Sequence, residues 1–164
     1  MSPGKVDAFL VRRATADDAE DLAALRWQFS GEGHTPVVER EAFLAQMAAT
    51  VREYVASGRW SIWVAVEGAT NRLVGTAFLQ RIDKVPRPYP RPPAWGYVTN
   101  VYVVPELRNA GVGRRILDAL IADTRDEGLD TLLLWPSQRA VPFYLRASFN
   151  PPRSALEFAL DEDA

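Results

Sequence analysis

Hydrophobic and polar residues alternate along several short stretches of this chain. A period of two over a few residues is typical of a β-strand with one face buried. Residues 68–72 are rich in turn formers, which predicts that the strands on either side form a hairpin. Short apolar runs bounded by turn residues also predict strands. Together, the two patterns predict strands at residues 9–13, 60–67, 73–82, 97–104, 131–135 and 155–160.

Between these stretches, apolar side chains recur every three or four residues, which is the spacing along one face of a helix. In the first helix, Leu22, Leu25 and Phe29 share a face, and Thr15 or Asp17 is a candidate for its cap. The predicted helices are residues 15–29, 39–56, 111–127 and 139–147, and the third has Ile116, Leu117, Leu120 and Ile121 facing inward and Gly128 as its stop.

The predicted elements follow the order β-α-α-β-β-β-α-β-α-β, which indicates an α/β (α+β) fold. The chain has 164 residues, which is near the usual size of one domain with a full core. It has no internal repeat and no change of composition that would mark a boundary. We therefore expect residues 1–164 to form a single domain.

A strand followed by a glycine-containing turn and a helix predicts an anion site. The strand stops at Pro105, and Gly111 and Gly113 open the helix. The first N–H groups of a helix have no partner within it, the helix dipole is positive at that end, and glycine lets a ligand approach the backbone. The ligand that we expect at this turn is a pyrophosphate.

Two common phosphate-binding motifs do not fit this turn. A dinucleotide fingerprint would need a third glycine where Ile116 stands, and an acidic residue at the end of the next strand, whereas Asp130 lies at its start. A P-loop would need Gly-Lys followed by Ser or Thr, and the chain has none. What remains is Arg108-x-x-Gly111-x-Gly113 after Val-Tyr-Val-Val-Pro-Glu. This resembles the acetyl-CoA signature of the GCN5-related N-acetyltransferase (GNAT) family.

A second motif of the same family is matched after the next strand. Residues 137–149 resemble the family's Asn-x-x-Ala-x-x-Leu-Tyr-x-x-x-Gly-Phe, with Tyr144 at the tyrosine position. Ser137 stands where the family usually has an asparagine that binds the cofactor, and Ser148 replaces the glycine. The resemblance covers the motifs between residues 97 and 149, and elsewhere it rests on the order of elements.

The resemblance implies a mixed, mostly antiparallel central sheet with helices on both faces, and direct transfer of an acetyl group from acetyl-CoA to an amine. It implies that one strand binds the pantetheine as an added strand would, that a strand N–H polarises the thioester carbonyl, and that the glycine turn binds the pyrophosphate. The cofactor-binding residues that it implies are Val101, Tyr102, Val103, Arg108, Asn109, Ala110, Gly111, Val112, Gly113, Arg114 and Ser137.

Tyr144 is the candidate general acid. A phenol with an ordinary pKa of about 10 keeps its proton at neutral pH and can give it to the departing thiolate. The alternative is that Tyr144 is a core aromatic residue at the helix–sheet interface.

The general base is left open, because the strand after Tyr97 offers no carboxylate. Glu32, His34 and a water molecule are the candidates. The acceptor, a small-molecule or peptide amine, is expected between residues 31–36 and the proline-rich residues 85–93. Trp135 is a further candidate for its wall.

Bulk composition excludes several other functions. The net charge is −2 and the pI about 5.5, so no global positive field attracts nucleic acid or an anionic membrane. No apolar run is long enough to span a bilayer, and the start of the chain lacks the apolar core of a signal peptide. Zero cysteines and one histidine exclude thiolate and multi-histidine metal sites. We therefore expect a cytoplasmic protein with no metal, nucleic acid or membrane partner, and a homodimer is left open.

Two other functions compete with the enzyme. One is a non-catalytic CoA-binding or regulatory module of the same fold. The other is a scaffold that uses the Pro-x-x-Pro spacing in residues 85–93 to dock a partner.

Overall fold

The computed structural model describes residues 9–88, 94–151 and 155–156. Its centre is a five-stranded sheet in which the strands lie in the order of the chain. All neighbouring strands are antiparallel except the last pair, which is parallel. The predicted mixed, mostly antiparallel sheet is therefore confirmed. The strands are β1 (Phe9–Arg13), β2 (Trp60–Glu67), β3 (Arg72–Asp83), β4 (Ala94–Val103) and β5 (Thr131–Leu133).

Within the described residues, four helices and three 3-10 turns connect the strands, in the predicted order as far as the fourth helix. The 3-10 turns at Ala16–Asp18, Pro105–Leu107 and Gln138–Ala140 lead into α1, α3 and α4. Of the predicted last strand, only residues 155 and 156 are described, and neither is in a strand. Residues 157–160 lie outside the described part. The helices are α1 (Ala19–Gly31), α2 (Arg40–Ser57), α3 (Val112–Asp126) and α4 (Val141–Arg146).

Helices pack on both faces of the sheet, as two neighbouring residues of β4 show. The Tyr102 ring stacks on Phe29 of α1 with ring centroids 5.1 Å apart. Val103 faces α3 instead, because its Cγ2 atom lies 3.4 Å from where a Cβ atom on Gly113 would stand. Successive strand side chains point to opposite faces. Therefore α1 and α3 cover opposite faces.

The predicted inner face of α3 is confirmed by burial. Ile116, Leu117 and Leu120 are fully buried. Gly75 of β3 lets this helix approach the sheet, because a Cβ atom there would lie only 2.9 Å from Ile116 Cδ1. Each of these large side chains stabilises the fold by about 1.5–3 kcal/mol relative to exposure. This packing fixes the start of α3, and hence the glycine turn, against the sheet.

Two predicted boundaries were wrong for a reason that concerns the site. β4 begins at Ala94 instead of residue 97, because its first residues pair with both β3 and β5. β5 ends at Leu133 instead of residue 135, because its pairing with β4 stops there. Residues 94–97 therefore lie in regular sheet, and the part of β4 after them is one-sided, that is, paired with β3 alone.

The first helix also begins later than predicted. Residues 16–18 form the 3-10 turn, and the α-helix starts at Ala19. Of the two predicted caps, Thr15 caps this turn, and the Asp18 carboxylate accepts the hydrogen bond from the Thr15 N–H at 2.7 Å.

Candidate functional site

The site is built where β4 and β5 separate. The two strands pair at Trp95 with Thr131, Gly96 with Leu132 and Tyr97 with Leu133. β4 then continues to Val103, and no described strand pairs with it on that side. This leaves the backbone N–H and C=O groups on that side of β4 facing a cleft. Such groups need partners, and a bound ligand can supply them.

A β-bulge lies in the one-sided part of β4. Phe78 pairs with Thr99 and Thr76 pairs with Tyr102, so two residues of β4 face one residue of β3. Asn100 is one of the two, and its φ of 49° lies in the left-handed region that asparagine tolerates better than most residues. A bulge bends its strand and increases the local twist. The bend therefore falls where β4 diverges from β5.

A cleft of about 700 Å³ runs along the end of β4, past the glycine turn, to α4. Three of the implied cofactor residues, Ala110, Val112 and Ser137, are not among its lining residues, and the side chain of Val112 is buried. The predicted site residues that do line this cleft are Val101, Tyr102, Val103, Arg108, Asn109, Gly111, Gly113, Arg114 and Tyr144.

The glycine turn has the geometry that an anion site requires. Asn109 and Gly111 have φ angles of 63° and 84°, which are left-handed. Arg115 N–H donates to Gly111 O at 3.1 Å, and the N–H groups before it at the helix start have no partner within the helix. A Cβ atom on Gly113 would lie 3.4 Å from Val103 Cγ2 and 3.5 Å from Phe143 Cζ. Gly113 therefore packs between Val103 and Phe143, and all three residues line the cleft.

Arg108 makes contacts within the protein that the motif alone does not indicate. Its Nε donates to Val103 O at 3.1 Å, and its guanidinium lies 5.5 Å from the centre of the Tyr102 ring. The same guanidinium is ion-paired with Glu32 in the loop between α1 and α2. Arg108 therefore ties the one-sided strand to that loop.

A second cleft, of about 610 Å³, adjoins the first. It is lined by Glu32 and His34 in the loop after α1, by Trp135 and Ser137 in the segment after β5, and by Tyr97 of β4. The described residues 85–88 do not line it, and residues 89–93 lie outside the described part. We call the first space the cofactor cleft and the second the acceptor cleft, after the ligands that the sequence predicts for their residues.

The ion pairs of Glu32 lower the pKa of its carboxyl group. Burial raises the pKa of Glu32, but the hydrogen bond and charge of Arg108, together with hydrogen bonds from Tyr102 and Arg139, outweigh this effect and place the pKa below its usual value. A carboxylate with a lowered pKa stays ionised at pH 7 and is a weak base.

Tyr144 is the residue that the two clefts share on α4. Burial raises its pKa to about 12. Its ring packs edge-on against Phe143 and Phe149, with centroids 5.0 and 5.7 Å away. Its hydroxyl has no hydrogen-bond partner in the described part of the chain. The ring is thus held by packing, and the hydroxyl keeps its proton and remains available to a ligand.

Sequence reasoning missed three residues of the acceptor cleft. Arg26 donates from its Nη1 to Asn100 Oδ1 at 3.1 Å, and Arg139 reaches Glu32 at 3.4 Å. Asn100 Nδ2 is buried and has no partner among the described residues. No motif marks these residues, because their proximity results from tertiary contacts between α1, β4 and the turn before α4. A polar residue inside an otherwise apolar strand was the only signal, and it applied to Asn100.

None of the helices in the described part of the chain is both long and apolar enough to cross a bilayer. No group of three or more histidine, cysteine or acidic residues within the described ranges could hold a metal ion.

Comparison with known proteins gives a consistent result. The model of the acetyltransferase (GNAT) family matches residues 19–149. The chloroplastic serotonin N-acetyltransferase 2 of Oryza sativa subsp. japonica is 34% identical over 67 residues, which cover 41% of this chain and 29% of that protein. The glucosamine 6-phosphate N-acetyltransferase of Trypanosoma brucei brucei is 32% identical over 80 residues, which cover 49% of this chain and 52% of that protein.

The matched region thus spans about half or less of the length of these two relatives. Among solved structures, a predicted acetyltransferase from Clostridium acetobutylicum with acetyl-CoA superposes with a TM-score of 0.75 at 24% identity. The superposition covers 93% of this chain and 96% of that one. This likeness establishes the fold.

Proposed function

The chain belongs to the acetyltransferase (GNAT) family, and we propose that it transfers an acetyl group directly from acetyl-CoA to an amine. The observation that carries this proposal is the divergence of β4 from β5 after Tyr97, next to the glycine turn at the start of α3. A one-sided strand and an anion site lie along one cleft, and a second cleft joins it at Tyr144.

The residues of the cofactor cleft fit a CoA thioester. The backbone of residues 101–103 offers hydrogen-bonding groups along one open edge, which suit the amides of a pantetheine arm. The amides around Gly111 and Gly113 suit a pyrophosphate, and Arg114 adds positive charge there. When bound, acetyl-CoA supplies an activated acetyl thioester.

Each chemical step has a candidate group in this chain. The amine nitrogen attacks the thioester carbonyl carbon, the C–N bond forms, and the C–S bond breaks. A backbone N–H on the open edge of β4 stabilises the oxyanion as it develops. The Tyr144 hydroxyl donates its proton toward the departing sulfur, because its raised pKa keeps it protonated at pH 7.

The amine must be neutral before it attacks. Glu32 is a poor base, because Arg108 and Arg139 hold its pKa low. We therefore assign deprotonation to water in the acceptor cleft, with His34 as the protein group that remains a candidate there. Glu32 instead holds Arg108 against the open strand.

The named relatives support an amine as acceptor, because serotonin and glucosamine 6-phosphate both carry one. The test is CoA release measured with a thiol reagent over a panel of amines, together with acetyl-CoA binding by calorimetry. The chain has no cysteine, so the protein itself does not react with the reagent. Amine-dependent release supports the transferase. Tight binding without release from any amine would instead indicate a non-catalytic CoA-binding module.

A further inference from the structure

The acceptor cleft carries a positive charge that the chain as a whole lacks. Among the described residues that line it, Arg26, Arg108 and Arg139 are basic and Glu32 is the one carboxylate, which gives a formal charge of +2 with the histidine neutral. The whole chain has a net charge of −2. A cleft that concentrates one sign of charge selects ligands of the opposite sign.

Two of the three guanidinium groups keep donors that no protein group uses. Within the described part of the chain, Arg26 has no carboxylate partner, and its contacts are Asn100 Oδ1 at 3.1 Å and the Phe29 ring at 5.3 Å. Arg139 has a side chain that is 78% exposed and meets Glu32 at 3.4 Å. A guanidinium has five N–H donors, so each of these can bind a further anion.

The position of Arg26 connects this charge with the acceptor. Arg26 lines the acceptor cleft and not the cofactor cleft. Its partner Asn100 is the bulged residue of β4, where the two strands have just separated. The cofactor cleft has two basic groups of its own, Arg114 and Arg146, and shares Arg108 and Arg139 with the acceptor cleft. An anion at Arg26 would therefore belong to the acceptor.

We propose that the acceptor is an amine that also carries an anionic group, a carboxylate or a phosphate, and that Arg26 and Arg139 bind this group. The inference rests on the proposed function. Guanidinium groups match both anions with paired hydrogen bonds, and such charge-assisted bonds are the strong ones. The same positive charge disfavours the protonated form of a nearby amine, and so it assists the deprotonation that attack requires.

The test compares amines in matched pairs that differ in the anionic group. Glucosamine 6-phosphate with glucosamine tests a phosphate, and β-alanine with β-alaninamide tests a carboxylate. The parent should favour the anionic member of at least one pair in kcat/KM by about 10- to 100-fold, the range for hydrogen bonds to charged groups. The pair that shows the preference identifies the anion.

Substitutions of the two arginines distinguish a role in binding the anion from a role in supporting β4. Arg26→Gln and Arg139→Gln should lower kcat/KM for the anionic amine by at least about tenfold more than for its neutral partner, since only the anionic member loses a charge-assisted bond. Arg26→Lys should restore part of the preference. Arg52→Gln is the matched control, because Arg52 is a half-exposed arginine on α2 that pairs with Glu20 and lines neither cleft.

The outcomes distinguish this inference from the function on which it rests. Transfer to the neutral members with no preference for the anionic ones overturns the inference and leaves the transferase standing. An equal loss for both members in Arg26→Gln also overturns it, because Arg26 would then act by supporting Asn100. If acetyl-CoA binds and no amine is acetylated, the proposed function fails and the inference fails with it.

Discussion

Tyr97 and Leu133 are the last residues that pair between β4 and β5. Beyond this pair, β4 bulges at Asn100 and continues alone to Val103. On its other side β4 stays paired with β3, so the divergence opens only one edge of β4. Both clefts lie at this opening.

The glycine turn can be tested with a pair of substitutions that share the same backbone strain. Gly111 and Gly58 have φ angles of 84° and 67°, and a Cβ atom on either would meet nothing within 4 Å. A glutamate at either site should therefore cost about 1–2 kcal/mol of unfolding free energy. Only Gly111→Glu places a negative charge at the predicted pyrophosphate site. It should weaken acetyl-CoA binding by about tenfold or more, as measured by calorimetry.

Gly58→Glu serves as the control, because Gly58 ends α2 away from both clefts. It should bind acetyl-CoA as the parent does. Equal affinities for the two variants would mean that the turn does not bind the cofactor.

Tyr144→Phe tests the proton donor, because it keeps the ring and its packing and removes only the hydroxyl. Turnover should fall by about 10²–10⁴-fold, the usual contribution of general acid catalysis, while acetyl-CoA affinity and thermal stability remain. Tyr54→Phe is the control, since Tyr54 stacks on Trp60 at 4.1 Å and lines neither cleft. A fall of less than about threefold, or about 0.65 kcal/mol, would assign Tyr144 to packing.

The sequence was sufficient for the elements that local pattern determines. The inner face of α3 and the turn at Gly111 were correctly placed, because helical periodicity and glycine carry strong local signals. The end of β5 at Leu133 was not predicted correctly, because Leu134 and Trp135 continue the apolar run of the strand. Only the divergence from β4 ends the strand before them. That divergence depends on pairing between segments distant in the chain.

The charged residues of the acceptor cleft were equally hard to predict. Arg26 lies 74 residues from Asn100, which it contacts, and Arg108 lies 76 residues from Glu32. Surface arginines on a helix usually face solvent, so nothing local distinguishes Arg26 from Arg52. Glu32 was placed in the cleft as a candidate base, but its two arginine partners, which lower its pKa, are visible only in the structure.

The pH dependence of turnover tests the assigned protonation states. Because burial raises the pKa of Tyr144 to about 12, its hydroxyl stays protonated through the accessible alkaline range and causes no loss of turnover there. The rising limb of kcat/KM should follow the pKa of the acceptor amine and shift when an amine of lower pKa is used. A limb that stays at one pH for all amines and disappears in His34→Gln would identify His34 as the base.

Asp18 should contribute stability that depends on pH. Its carboxylate accepts two hydrogen bonds from Arg12 at 2.8 Å each and one from the Thr15 N–H at 2.7 Å. The hydrogen bond from Arg12 is the largest influence on the pKa of Asp18; burial opposes it, Thr15 adds to it, and the net effect is a lowered pKa. The folded pKa is thus below the unfolded one. The stabilisation is complete above the unfolded value and is lost as the pH falls through the folded value.

Asp18→Asn should lower the free energy of unfolding by about 1.5–3 kcal/mol at pH 7, the range for hydrogen bonds to a charged group. The difference from the parent should shrink under acidic conditions, where the parent carboxylate is protonated. Denaturant unfolding at neutral and acidic pH measures both values. Asp17→Asn, at the exposed neighbouring position, should change little at either pH. A difference for Asp18→Asn that is independent of pH would rule out the ionised pair as its cause.

The proposed transfer reaction is tested most directly by its stoichiometry. Acetyl-CoA with an isotopically labelled acetyl group is incubated with the parent protein and an amine that supports CoA release, and the CoA and the acetylated amine are both quantified by mass spectrometry. We predict one labelled amide for each CoA released, with release that depends on the amine and falls in Tyr144→Phe. Release of CoA at the same rate without amine, or without a labelled amide, would contradict direct acetyl transfer.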